Sequence, residues 1–262
     1  MPIQKSEGII LNKRDLRETS LVVCFYTRDF GKINGVLKGI RQDPSKFAST
    51  LEIFSNNEII FYTKRNSALH LVSACDLKNN FDLIRKDIHK VGIASMMTEL
   101  TAKLMPQEDK NEEVFNLLLS CLNELENTYD ADKIATIFKI KLLALSGFKP
   151  HLDSCVSCGR KILDQSWFSL NLGGLLCLRC QQKDTTSRLI FRGTIASILH
   201  IEKNDIKNNL KLGMNPQIKN QLNAILNAFL NFHLDKELNS EKVINKLSAT
   251  YFDPLYMRRV LL

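Results

Sequence analysis

Two CxxC pairs, Cys155/Cys158 and Cys177/Cys180, stand with 18 residues between them in the stretch CVSCGRKILDQSWFSLNLGGLLCLRC. Each pair can present two thiolates to one ion from a tight turn, and Gly159 supplies a position where positive φ carries no steric cost. The intervening residues suffice for a short hairpin, Trp167–Leu170 turning through Gly173 and Gly174 into Leu175 and Leu176, that brings the pairs together. Four sulfurs suit a tetrahedral Zn²⁺, and four protein ligands leave no open coordination position. The spacing therefore predicts one structural zinc site rather than a catalytic one. A redox CxxC would want a βαβ context that neither pair has, and disulfides would want an oxidising compartment. Arg160, Lys161, Arg179 and Lys183 flank the sulfurs, where cations can offset the charge of four thiolates on one divalent ion.

The remaining cysteines, Cys24, Cys75 and Cys121, sit inside apolar patterns and read as small buried residues of a reducing cytoplasm. A chain of 262 residues can build two or three compact units. No secretory signal is visible at the N-terminus, and no apolar run approaches the roughly 18 residues of a membrane helix. Charge is unevenly distributed within a net +8. Residues 1–80 carry 12 Lys and Arg against 8 Asp and Glu, residues 188–262 carry 11 against 6, and residues 81–150 carry 9 against 11. Basic ends around a non-basic middle suit a polyanionic partner touched from two regions; a solvated lysine-rich surface reads equally well from composition alone.

Residues 6–75 read as about five short strands: Glu7–Leu11, Ser20–Thr27, Lys32–Lys38 after a turn at Arg28–Gly31, Leu51–Thr63 broken at Ser55–Asn57, and Leu69–Ala74. Five strands in so short a stretch predict a small barrel. An OB-fold is the natural candidate, with an SH3-like barrel as the alternative. The loops carry cations: Lys13, Arg14 and Arg17 between the first two strands, Lys38, Arg41 and Lys46 with Phe47 after the third, and Lys64-Arg65 before the last. Such positions would line the rim of a single-strand-binding groove, or serve as ordinary solvated turns.

From Asn80 the period becomes helical. One helix is expected over Asp82–Met105, with Leu83, Ile84, Ile88, Val91, Met96, Leu100 and Leu104 on its apolar face. A second runs from Glu112 to Asn127, and a third from Ala131 to Ser146 with Gly147 as its terminator. After the cysteine module, Gly193–Ile201 is a short apolar segment and Asn215-Pro216 starts a further amphipathic helix. The fold class is thus α+β: an OB barrel over 1–79, then a helical domain over 80–262 with the zinc module 151–187 inserted. Phosphate-loop, dinucleotide, nucleophile-elbow and HExxH motifs are absent, so the chain is expected to bind rather than catalyse.

The stretches RDLRETSLVVCFYTRDFGKINGVLKGIR, IFKIKLLALSGFKPHLDSCVSCG, GGLLCLRC and FLNFHLDKELNS follow one another in an order that resembles the bacterial RecO family of DNA repair proteins. The resemblance covers most of residues 5–247. It implies a recombination mediator that binds single- and double-stranded DNA and anneals complementary strands. It also implies work with RecR, and in some settings RecF, to load RecA on strands coated by the single-stranded-DNA-binding protein SSB, whose acidic C-terminal tail the helical domain binds. Such a protein would be cytoplasmic and nucleoid-associated, with no membrane partner. The loop after the third strand matches best, making Lys38 and Arg41 the first DNA-contact candidates. Lys46, Arg14, Arg17, Lys64 and Arg65 are added on charge and loop position. Lys133, Lys139, Lys141 and Lys219 are the cations the helical domain offers an acidic tail. Two rivals are a zinc-containing nucleic-acid-binding factor of another pathway and a CxxC thiol oxidoreductase.

Overall fold

The structure, a computed structural model, describes residues 2–63, 67–162, 165–234 and 238–240. Five strands close an antiparallel-dominated barrel in the order β1(Ile3–Leu16), β2(Ser20–Thr27), β3(Gly31–Leu37), β5(Leu69–Asn79), β4(Asn56–Tyr62). The single parallel pairing, β3 with β5 through Asn34↔Leu69 to Val36↔Leu71, is what makes this the OB arrangement rather than an SH3-like one. Run together, the β-branched and aromatic residues of SLVVCFYT bury six consecutive positions of β2. Closure needs a close approach at Gly35, where a Cβ would stand 2.4 Å from Val72 Cγ2. The barrel interior is Ile10, Val23, Phe25, Ile33, Leu37, Ile59, Phe61, Val72 and Cys75. Burial raises the Cys24 thiol to about 11 and the Cys75 thiol to about 12, so neither is reactive near neutrality.

Four details depart from the strand reading. β1 runs from Ile3 to Leu16 rather than ending at Leu11, so Lys13 and Arg14 stand in a strand, paired with Val23 and Val22, and not between strands, because β2 offers a partner as far as Ser20. Ser55–Asn57 does not break a strand; β4 begins at Asn56, and it is Leu51–Ser55 that is irregular. Leu51 and Phe54 adopt left-handed backbone (φ 52° and 59°), and both side chains are buried. Phe47 also turns inward and joins the barrel core, where apolar burial outweighs any use as an exposed stacking ring. β5 runs to Asn79, longer than its apolar segment, because β4 offers a paired partner as far as Asn56↔Asn79.

The long helix expected over Asp82–Met105 is two helices, α1(Asp82–Arg85) and α2(Ile88–Leu104). Asp87 is extended, and its carboxylate accepts from His89 N and Lys90 N, so it caps α2 and ends the helical run before it. Leu83 and Ile88, which flank that break, are consequently half exposed, whereas Ile84, Met96 and Leu100 are buried. α3(Glu112–Asn127) and α4(Ala131–Leu145) match their sequence signals. Asn111 caps α3 through Val114 N, and Phe148 N bonds Leu143 O across Gly147 at the end of α4.

The described residues fall into two compact units, one within Met1–Ala135 that also takes in 238–240, the other within Thr136–Lys236. In the first, Lys32 is almost fully buried and donates to Ala102 O at 2.6 Å, a cation placed on the C-terminal turn of α2. Arg28 lies 4.6 Å over the Phe115 ring of α3 and pairs with Glu7 at 2.9 Å. In the second, a small sheet of order β7(Gly174–Cys177), β6(Ser166–Ser169), β8(Arg188–Ile190) accompanies α5(Arg192–Lys203), α6(Ile206–Leu210) and α7(Pro216–Leu234). Asn215 caps α7 by accepting from Ile218 N at 2.8 Å. Strand β8 and helix α6 had no clear sequence signal, being only three and five residues long. Among the described residues no helix is long and apolar enough to cross a membrane.

Candidate metal centre and nucleic-acid interface

The first CxxC pair is shaped by Gly159 N to Cys155 O at 2.8 Å and Cys155 N to Arg160 O at 2.9 Å, with Gly159 at φ +70°. That backbone conformation is why a glycine follows the second cysteine. The second pair turns on Cys180 N to Cys177 O at 2.9 Å. Pairing of β6 with β7, Trp167 opposite Leu176 and Ser166 opposite Cys177, delivers this turn to the first one. Val156 N to Leu175 O at 2.8 Å fastens the first pair to the edge of β7.

The four Sγ atoms all lie within 4.8 Å of one another, and Cys158 Sγ to Cys177 Sγ is 3.8 Å. A tetrahedron with metal–sulfur bonds of about 2.3 Å has edges of about 3.8 Å. The separations are far from a sulfur–sulfur bond and close to those of ligands sharing one ion, so the residues present fit a four-thiolate metal centre. Local dipoles favour the ligating form at Cys158 and Cys155, whereas at Cys180 a hydrogen bond from Ser157 is outweighed by burial and the neighbouring sulfurs, which raise that thiol to about 11. Cys158 is lowered to about 6, first by the Arg160 backbone N–H and then, against a small cost of burial, by the Arg160 guanidinium. Burial raises Cys155, but N–H groups of Cys177, Cys158 and Ser157 outweigh it and leave that thiol lowered as well. Trp167 and Ile162 pack against the cluster formed by Cys155, Leu176 and Cys180.

At the barrel, Arg41 joins two basic segments. Its backbone N–H donates to Thr19 O at 3.0 Å, its Nη1 donates to Arg17 O at 3.1 Å, and the same guanidinium stands 3.3 Å from Asp15. This clasp holds the end of β1, which carries Arg14, and the turn after it, which carries Arg17, against the loop that carries Lys38, Arg41 and Lys46. Within that loop Lys46 Nζ donates to Lys38 O at 2.8 Å, and Asp43 caps the short helical turn at Pro44–Lys46. Arg14, Arg17, Lys38, Arg41 and Lys46 are exposed. Five of the predicted cations are thus gathered at one end of the barrel. Lys64 and Arg65 lie outside the described residues.

The sequence reading missed Asp15 and Thr19, whose role needs the β1–β2 turn to meet a loop more than 20 residues later; no local pattern announces that. In the second unit Lys139 Nζ donates to Asn227 Oδ1 at 2.8 Å and Lys141 Nζ to Glu202 O at 3.2 Å. Both therefore staple α4 to neighbouring helices. Lys133 and Lys219 also have partners.

The family description "Recombination protein O N terminal" matches residues 1–81, and "Recombination protein O C terminal" matches residues 85–242. The chain belongs to the RecO family. Among its relatives, the DNA repair protein RecO of Desulfatibacillum aliphaticivorans is 32% identical over 212 residues, 79% of this chain and 82% of that protein. That of Dehalococcoides mccartyi is 32% identical over 205 residues, 78% and 80% of the two chains. The Halalkalibacterium halodurans protein is 31% identical over 180 residues, covering 69% and 70%. Membership places the chain among DNA repair and recombination proteins, and the family's two matched regions meet where β5 gives way to α1.

Proposed function

We propose that this protein is a recombination mediator that binds single- and double-stranded DNA and anneals complementary strands. With RecR, and RecF where it is used, it helps RecA load onto SSB-coated single strands, and it engages the acidic SSB tail. It acts by binding, not catalysis, in the cytoplasm at the nucleoid. The observation that carries the reading is the clasp at Arg41, which assembles Arg14, Arg17, Lys38 and Lys46 into one basic rim on an OB barrel. Annealing requires two polyanions to approach, and a rim of cations lowers their repulsion while releasing counterions. The four-cysteine centre would hold Zn²⁺ through Cys155, Cys158, Cys177 and Cys180 and serve as a structural clip. With all four thiolates held on one Zn²⁺, none would be left as the attacking partner a thiol oxidoreductase needs.

The test is annealing of two complementary oligonucleotides, each precoated with the cognate SSB. Acceleration by this protein that disappears with tail-truncated SSB is the expected result. DNA binding without any acceleration would reduce the protein to a nucleic-acid binder of another pathway.

A further inference from the structure

The cysteine module carries more cations than its own charge balance engages. Arg160 is committed to the centre, its guanidinium bonded to the Cys158 sulfur. Lys161 and Arg179 are exposed, and neither is held in an ion pair among the described residues. The three cations line one open groove of about 530 Å³, whose other walls include Ile162, Gln165 and Leu178. Among the described residues no carboxylate lines it. Leu178 protrudes, 63% exposed, between the ligand Cys177 and Arg179.

We propose that this groove is a second contact for single-stranded DNA, separate from the barrel rim, with phosphates on Lys161 and Arg179 and a base laid against Leu178 and Ile162. Charge selects a polyanion, since two uncommitted cations face a groove that has no carboxylate among its described lining residues. Shape selects nucleic acid over an acidic peptide. The groove's apolar element, Leu178, stands out from the surface as a platform, which suits the flat face of a base, whereas a peptide anchor needs a pocket that swallows a side chain. Gln165 adds an amide that can meet a sugar or base edge. The metal centre's part is mechanical: it fixes the two turns that carry Lys161 and Arg179. The inference rests on the DNA-binding reading above.

The experiment uses the full chain, zinc-loaded, and measures affinity for a single-stranded oligonucleotide as a function of salt. Each phosphate contact contributes about 0.7 to the slope of log K against log salt on single strands, so Lys161→Gln with Arg179→Gln should flatten the slope by about 1.4. Zinc content and Trp167 fluorescence should remain those of the parent. If the double variant loses zinc, Lys161→Gln alone should flatten the slope by about 0.7. An unchanged slope in a zinc-retaining variant overturns the groove. So does loss of binding to an acidic peptide with DNA binding intact, which would assign the groove to a protein partner. Lys38→Gln is measured alongside: a slope change there with none in the groove variant leaves the DNA reading standing and removes only this site.

Discussion

Arg41 does two jobs that a charge count merges. Its guanidinium reaches Arg17 O and Asp15, so part of its positive charge is answered within the protein, while Lys38 is an exposed cation beside it. Lys38→Glu should weaken binding to all sequences alike and flatten the salt dependence, because a phosphate contact carries no sequence information. If the rim neutralises about five phosphates, the parent slope on single strands should be near −3.5. Adding Arg41→Glu should weaken binding further and also release the β1–β2 turn, which amide exchange at Arg17–Thr19 would report. Unchanged DNA affinity in the double variant would remove the rim from the interface.

Glu99 shows residue-scale chemistry that becomes visible through pH. Burial raises its carboxyl, but hydrogen bonds from Ser240 side chain and backbone, from Asn239 N–H and from Lys103 outweigh that and hold it below its ordinary 4.5. Both backbone N–H groups lie at 2.9–3.0 Å, at the chain's return to the first unit. A carboxyl depressed in the folded state stabilises it fully above the ordinary value, and the benefit disappears as pH falls through the folded value. Glu99→Gln should therefore cost about 0.5–2 kcal/mol at neutral pH, as for a lost cap, and the gap should close as pH drops below about 4.5. Urea unfolding of both proteins across that range is the measurement, and a gap independent of pH would show that the carboxylate's charge is not what secures that return.

Among the elements, the cysteine module is the one expected to draw stability from a bound ion. Four thiolates within 4.8 Å repel one another unless an ion holds them, and β6 and β7, four residues each, form a hairpin too short to persist unaided. The protein has one tryptophan, Trp167, and it packs on this cluster. Chelation under reducing conditions should therefore alter tryptophan emission and loosen residues around 150–185, releasing one zinc per chain. DNA binding by the barrel rim should survive, with the flatter salt slope of the groove variant. Absence of zinc in a reduced, freshly purified preparation would remove the structural-ion reading.

For the molecule as a whole, sequence and structure agree where one local rule sufficed. The CxxC spacing located the four cysteines whose sulfurs gather within 4.8 Å, because each pair is a self-contained turn and the hairpin between them is short. The β-branched run of β2 and the apolar stripe of α3 placed their elements, because each buries one face whatever its neighbours do. The resemblance in motif order named the family that the matched regions then showed. Where two rules competed, periodicity lost. The apolar stripe continued through Lys86 and Asp87, but an Asp that caps the next helix ended the first, leaving Leu83 and Ile88 exposed. Phe47 stood in a polar loop and looked available for stacking; only its tertiary packing into the core cluster that also holds Ile40 and Leu51 decided that it is core. The sequence by itself thus determined the four-cysteine cluster, the barrel and the family, each being set by neighbours in the chain. Only the tertiary structure decided which cations act together, because the Arg41 clasp and the Lys161–Arg179 groove join segments whose meeting depends on how the chain closes.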